Sequence, residues 1–328
     1  MKSFLFLSLA AALCCSCGKK ADNAGDATSQ NGAAPAANGK FVVGFSQIGA
    51  ESGWRTAETE SIRGEAANRG IDLRFSDAQQ KQENQIKALR TFLAQGVSAI
   101  ILAPVVETGW EPVLREIKKA NIPVILVDRG VKVEDESLYT TLIASDFVEE
   151  GRMAGKWLAE KLGRKGNIVE LQGTPGAAPA IDRKKGFEEA IKPYMPMKII
   201  KSQTGDFTRS KGKEVMEAFL KAEGKNINAV YAHNDDMALG AIQAIEEAGM
   251  KPGTDIIIVS IDGVKPAFEA IVAGKLNCTV ECNPLLGPTV FETLDAIRAG
   301  DKVEKKILMK DEIYDETNAK QALPSRKY

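Results

Sequence analysis

The stretch "FSQIGAESGWRTAE", residues 45–58, decides how the rest of the chain is read. It begins as a buried strand, turns through Gly49, Ser52 and Gly53, and starts a helix at Trp54 and Arg55. A strand, a glycine-bearing turn and a helix together open a βαβ unit. A core position would take the indole without the guanidinium, and a solvated loop would take neither. The pair therefore raises the question of what else the chain directs to the same place.

The pattern continues outward from this unit. "FVVGFSQ", "IDLRFSD", "SAIILAP" and "IPVILVD" read as strands, and residues 54–69, 80–95 and 110–121 carry apolar side chains at helical spacing. A second series follows, with strands "GNIVELQG", "MKIIKSQ", "INAVYAH" and "DIIIVSID" and helices near 182–191, 209–223, 236–248 and 266–273. Two successive series predict an α/β chain with two doubly wound parallel sheets. The near-continuous apolar strands agree, because a parallel sheet is covered on both faces.

In such sheets ligands sit in the crevice outside the carboxyl ends of the strands. The residues that follow the strands are Ser46 to Arg55, Ala103 and Pro104, Asp128 and Arg129, Gly173 to Arg183, "TGDFTR", Asn234 and Asp235, and Asp262 with Gly263. Aromatic, Arg, Asp and Asn side chains dominate this set. No strand end supplies a metal cluster or a nucleophile with its base.

Composition narrows the function further. Forty-three Lys and Arg nearly cancel 44 Asp and Glu in 328 residues, and no basic stripe is present to follow a phosphate backbone, so no nucleic-acid partner is expected. The single histidine, His233, disfavours a catalytic triad and a multi-histidine metal site, so no catalytic residue, metal or cofactor is expected. No G-x-G-x-x-G follows any strand, and "GDFTRSKGK" lacks the spacing of a phosphate-cradling loop.

The first residues, "MKSFLFLSLAAALCCSCGKK", combine one early Lys, an apolar run too short to span a bilayer, and three cysteines. They resemble a bacterial lipoprotein signal, residues 1–17, with Cys17 after the small Ser16 as the expected acylated residue. Residues 18–40 contain no aromatic residue and no Ile, Leu or Val, and are expected to form a flexible tether. Cys278 and Cys282 in "NCTVECNP" would lie roughly 13 Å apart on an extended strand, whereas a disulfide needs Cα atoms about 4.4–6.8 Å apart. Free thiols on one strand face are expected.

A sugar presents hydroxyls that both donate and accept, around a ring with apolar C–H patches. Asp accepts from two hydroxyls, Arg offers a rigid fork of donors, Asn does both, and an aromatic face covers the C–H surface. The strand-end set suits such a molecule. It also explains Trp54 beside Arg55, since ring and guanidinium meet the two kinds of surface on one guest.

The chain resembles the periplasmic sugar-binding proteins of bacterial ABC importers, of the ribose and galactose type. The resemblance is carried by "VGFSQIGAESGWR", "AQQKQENQIKA", "APVVETGWEPVL", "DRKKGFEEAI", "QTGDFTRSKGKEVME", "YAHNDDMALGAIQAI" and "SIDGV", and within the group it is nearest to members that bind galactofuranose. It implies the type I fold of that family, with two lobes joined by a three-crossover hinge. Residues 41–145 with 283–306 form one lobe, and 146–282 with 307–328 the other. The resemblance places the pocket on Trp54, Arg55, Asp128, Arg129, Arg183, Phe207, Asn234 and Asp262, with Glu51 and Ser52 as additional contacts from the first loop. It also implies a monomer that closes on a monosaccharide and hands it to a permease with a separate ATPase, in the periplasm or cell envelope. A sensor that presents the sugar to a chemoreceptor is the alternative. Cys282 stands where ribose-binding relatives carry a hydrogen-bonding glutamine, which argues against ribose.

Structural alternatives exist for single residues. Asn234 and Asp235 open a helix and could act as N-caps, Asp128 and Arg129 could form only a surface ion pair, and Arg183 lies in a basic run with Lys184 and Lys185. His233 and Trp110 are expected to be structural. Removing Asp128 or Arg183 is expected to abolish sugar binding and leave the melting temperature nearly unchanged.

Overall fold

A computed structural model describes residues 41–328; the expected signal segment, Cys17 and the tether lie outside them. The first series runs β1 (Val42–Gln47), α1 (Gly53–Asn68), β2 (Asp72–Asp77), α2 (Gln82–Ala94), β3 (Ala99–Leu102), α3 (Glu111–Lys119), β4 (Val124–Val127) and β5 (Thr141–Ala144). The second runs α4 (Phe147–Lys161), β6 (Gly166–Gln172), α5 (Ala178–Ile191), β7 (Met197–Thr204), α6 (Arg209–Glu223), β8 (Ala229–Ala232), α7 (Asp235–Glu247), β9 (Ile257–Asp262), α8 (Lys265–Val272) and β10 (Cys278–Glu281). The chain ends with α9 (Gly287–Ala299), β11 (Lys306–Leu308), β12 (Ile313–Asp315) and α10 (Ala319–Ala322).

The strands form two six-stranded sheets, ordered β11-β5-β4-β3-β1-β2 and β12-β10-β9-β8-β6-β7. Every pairing is parallel except the antiparallel edge strand β12 on β10. The chain passes between the sheets after β5, after β10 and between β11 and β12. The last passage corrects the expected boundary at residue 306: Ile307 and Leu308 still pair with Ile143 and Ala144 of the first sheet. Only two apolar residues, Ile307 and Leu308, mark β11, too short a run for periodicity to locate.

Each sheet is sandwiched by helices over its own apolar core. Phe45, Ile62, Ile101 and Phe291 pack on one face of the first sheet, and Leu89, Phe92, Trp110 and Leu114 on the other. Tyr231, Phe187 and Phe268 anchor the second lobe, whose cluster also includes Trp54. Phe187 stacks on Tyr231 with centroids 3.8 Å apart.

Helix α4 escapes a reading by periodicity because Gly151 and Gly155 look like breakers. They are close-approach sites. A Cβ at Gly151 would lie 2.1 Å from the Arg183 carbonyl oxygen, and one at Gly186 would lie 1.9 Å from that of Val148, so α4 and α5 touch backbone to backbone.

Candidate functional site

The carboxyl ends of both sheets face one another, and the loops and helix starts beyond them enclose a single cavity. It is lined by Glu51, Ser52, Trp54, Arg55, Asp128, Arg129, Arg183, Phe207, Asn234 and Asp262, together with Pro179. All ten residues proposed from the sequence are thus brought together. The space between the lining side chains, its mouth included, is about 280 Å³. The lobes are closed over it. Gly53 N donates across the gap to Asp236 Oδ2 at 2.8 Å, Glu107 N donates to the Gly176 carbonyl at 3.0 Å, and the Arg129 guanidinium sits 5.2 Å over the Phe207 ring.

On the first lobe, Ser52 caps α1 by accepting from Arg55 N, which sets Trp54 and Arg55 on the first turn. Arg55 donates to Glu51 Oε1 at 3.0 Å, Glu58 Oε2 at 2.5 Å and Asp128 Oδ2 at 2.6 Å. Arg129 donates to the Val105 carbonyl at 3.0 Å and lies 3.5 Å from Asp128 and 3.8 Å from Glu51. Asp128 and Arg129 are therefore buried in the cleft, with 5 % and 3 % exposure, and do not form a surface pair. The Trp54 indole donates to the Cys282 carbonyl at 2.5 Å, so the ring that lines the cavity is also pinned to a crossover strand.

On the second lobe, Arg183 donates from Nε to Glu150 Oε2 at 2.7 Å and from Nη1 to the His233 carbonyl at 2.7 Å, and lies 3.6 Å from Asp262 Oδ1. Lys184 turns away from the cleft to Glu170 at 2.8 Å, so the basic run divides. Asn234 caps α7, its Oδ1 accepting from Met237 N, while its Nδ2 donates to the Phe207 carbonyl at 3.1 Å on the cavity wall. Asp235 is structural, accepting from Ser260, Thr279 and Val264 N. His233 is fully buried, with Nδ1 accepting from Gly173 N and Nε2 donating to Glu170. Trp110 packs in the first core and donates to the Val106 carbonyl.

Three of the lining residues hold backbone angles that side chains rarely adopt: φ is 59° at Asp128, 60° at Phe207 and 126° at Asp262. Such conformations cost on the order of 1–3 kcal/mol each and gather where the surroundings fix a functional geometry. Phe207 fits only because Gly173 has no side chain, since a Cβ there would lie 1.9 Å from the ring tip.

Glu58 and Glu150 were not anticipated, although both are fully buried behind the cleft arginines. Glu58 sits one turn after Arg55, a spacing that could have flagged it; Glu150 lies on α4, which was itself missed. Burial pushes the Glu58 carboxyl up to about 7 against the opposing pull of Arg55. Burial likewise raises the Glu150 carboxyl and, strongly, that of Asp262, in each case against the pull of Arg183. Pro179 was also missed; as a Pro at the start of α5 it was legible as helix punctuation only.

The three passages between the lobes are joined to one another. Ser145 donates to Asp311 Oδ1 at 2.9 Å, and Cys282 Sγ contacts Ser145 Oγ at 3.6 Å. Cys278 and Cys282 are free, buried thiols. Burial, then Glu150, raises Asp311 from the usual carboxylate range to about 8. The folded protein thus holds a proton on Asp311 between about pH 4 and 8 that the unfolded chain releases, so this group's contribution to stability falls as pH rises through that window. Burial raises Asp235, to about 6, and Glu58 with the same sign. The melting temperature of the sugar-free protein is expected to drop from pH 5 to 8.5, and the drop to shrink in Asp311→Asn; an unchanged slope in that variant would exclude Asp311 as a source.

The chain from residue 43 to 302 matches the family model described as a periplasmic binding protein domain. It is 56 % identical to the galactofuranose-binding protein of Escherichia coli (strain K12) over 88 % of this chain and 92 % of the relative. It is also similar to the solved periplasmic binding protein of the arabinose ABC transporter from Shewanella sp. ANA-3, bound to α- and β-L-arabinofuranose, at 56 % identity and a TM-score of 0.85, covering 87 % of this chain and 95 % of that one. A protein solved from Mycobacterium smegmatis with β-D-fucofuranose is 53 % identical, with a TM-score of 0.86 and coverage of 88 % and 95 %. The two doubly wound lobes, the cleft at their strand ends and these likenesses agree: the chain belongs to the periplasmic binding proteins.

Proposed function

We propose that this protein is the substrate-binding component of an ABC sugar importer and captures a neutral monosaccharide in furanose form, galactofuranose or a close analogue, between its lobes. The observation that carries the reading is the composition of the cavity. Three guanidinium groups, those of Arg55, Arg129 and Arg183, meet the carboxyl groups of Glu51, Asp128 and Asp262 on the cavity wall and of Glu58 and Glu150 behind it. Such a site supplies donors and acceptors in fixed directions, with every guanidinium already held beside a carboxyl group, which suits hydroxyls. The solved relatives carry arabinofuranose and fucofuranose, which supports the five-membered ring. Glu51, Ser52, Trp54, Arg55, Asp128, Arg129, Pro179, Arg183, Phe207, Asn234 and Asp262 would contact the sugar. The protein acts by binding alone. A hinge at the three passages opens the cleft, and the sugar's greater affinity for the closed state drives closure. Delivery to a permease follows in the periplasm, with the monomer held to a membrane by lipid on Cys17.

Calorimetry against galactose, L-arabinose, ribose and methyl galactopyranoside tests the reading, with carbon NMR of bound, labelled galactose reporting ring form. Furanose signals from the bound sugar are expected, and the locked pyranoside should bind at least about tenfold more weakly, since leaving a charged partner unpaired costs roughly 1.5–3 kcal/mol. Equal binding of the locked pyranoside would refute the furanose assignment.

A further inference from the structure

Asp262 occupies one of the least accessible backbone conformations in the cleft, and the residues that hold it there come partly from the far end of the chain. Arg326 donates from Nη2 to the carbonyl oxygen of Gly263 at 2.6 Å and from Nη1 to Glu281 Oε1 at 2.7 Å. Its side chain is only 8 % exposed, and the guanidinium lies over the rings of Phe268 at 4.6 Å and Tyr328 at 4.5 Å. Tyr328 donates its hydroxyl to the same Glu281 oxygen at 2.9 Å, and a main-chain oxygen of Tyr328 accepts from Lys265 N at 2.6 Å. From the inner side, Gly263 N donates to Thr279 Oγ1 at 3.2 Å and Val264 N to Asp235 Oδ2 at 2.8 Å. Cys282 N, on the second passage between the lobes, donates to the Asp262 carbonyl at 3.1 Å.

The turn that presents the Asp262 carboxylate is thus clamped on both faces, by Asp235 on the inner side, which holds Val264 N and Thr279, and by Arg326 on the outer side, which joins the Gly263 carbonyl to Glu281 on the strand leading into the hinge. Gly263 fits this arrangement closely: a Cβ there would lie 2.9 Å from Arg326 Nη2. We propose that Arg326 is a positioning residue for sugar binding, fixing the peptide after Asp262 so that its carboxylate meets the cleft. This rests on the sugar-binding reading of the cavity.

The test is a double-mutant cycle on affinity, read by calorimetry with the sugar that the wild-type protein binds best. Arg326→Ala is expected to weaken binding about tenfold, as for loss of roughly one hydrogen bond to a charged group, and Arg326→Lys to weaken it less. In an Asp262→Asn background the effect of Arg326→Ala should largely disappear, because residues acting through one group are not additive. Arg326→Lys carries the same cycle if the alanine variant is unstable. Affinity within twofold of wild type, or an undiminished loss in the Asp262→Asn background, would overturn the proposal. A wild-type protein that binds none of the sugars would instead overturn the reading of the cleft.

Discussion

Arg183→Ala abolishes sugar binding and also lowers the melting temperature of the sugar-free protein. The sequence reading expects the first effect without the second, and the structure corrects it. Arg183 is the partner of Glu150, which is fully buried and has one oxygen already without a hydrogen-bond partner. Removing one member of a buried pair leaves an uncompensated charge and costs about 3–5 kcal/mol. The stability loss should ease at lower pH, since burial already raises the Glu150 carboxyl and protonation removes the charge. Arg183→Met with Glu150→Leu should recover stability but not binding. If the single variant melted like the wild type, Arg183 and Glu150 would be solvated in the free protein and the buried pair would be an incorrect description.

Asp128→Ala gives the same binding result with a different stability result. Asp128 accepts from Arg55 and lies 3.5 Å from Arg129, but Arg55 keeps Glu51 and Glu58 and Arg129 keeps the Val105 carbonyl and Glu51, so neither guanidinium loses every partner. The remaining cost is an alanine at φ 59°, on the order of 1–2 kcal/mol. Affinity should fall by at least about 100-fold, since a carboxylate that accepts from two hydroxyls contributes roughly 1.5–3 kcal/mol for each. Calorimetry and thermal melts on the two variants together separate recognition from folding. Retained binding in Asp128→Ala would remove this residue from the site.

The parallel sheets and the position of the cleft were legible because strand polarity and the apolar pattern leave little freedom: a loop after a buried parallel strand must open at the carboxyl edge. Hence Glu51, Arg55, Asp128, Asn234 and Asp262 could be placed together from the sequence. The elements that escaped were β5, α4, α9, β11, β12 and α10. Three are helices, of which α4 carries glycines that mimic breaks and α10 is four residues long, and three are strands of three or four residues, too brief for a period to emerge. Glu58 and Glu150 escaped for another reason. A glutamate on a helix normally reads as solvated surface, and only the tertiary placement of Arg55 and Arg183 turns these two inward. Arg326 is similar, because its partners at Gly263 and Glu281 are remote in sequence.

The glycine seam between α4 and α5 bears on how this cleft could change its guest. With Gly151 and Gly186 in backbone contact with the opposite helix, the second lobe has no slack through which Arg183 could be re-aimed. A new specificity, whether reached by natural drift or by engineering, would therefore have to enter through the opposing jaw. There, the turn from Gly49 to Gly53 can be remodelled without prising two helices apart.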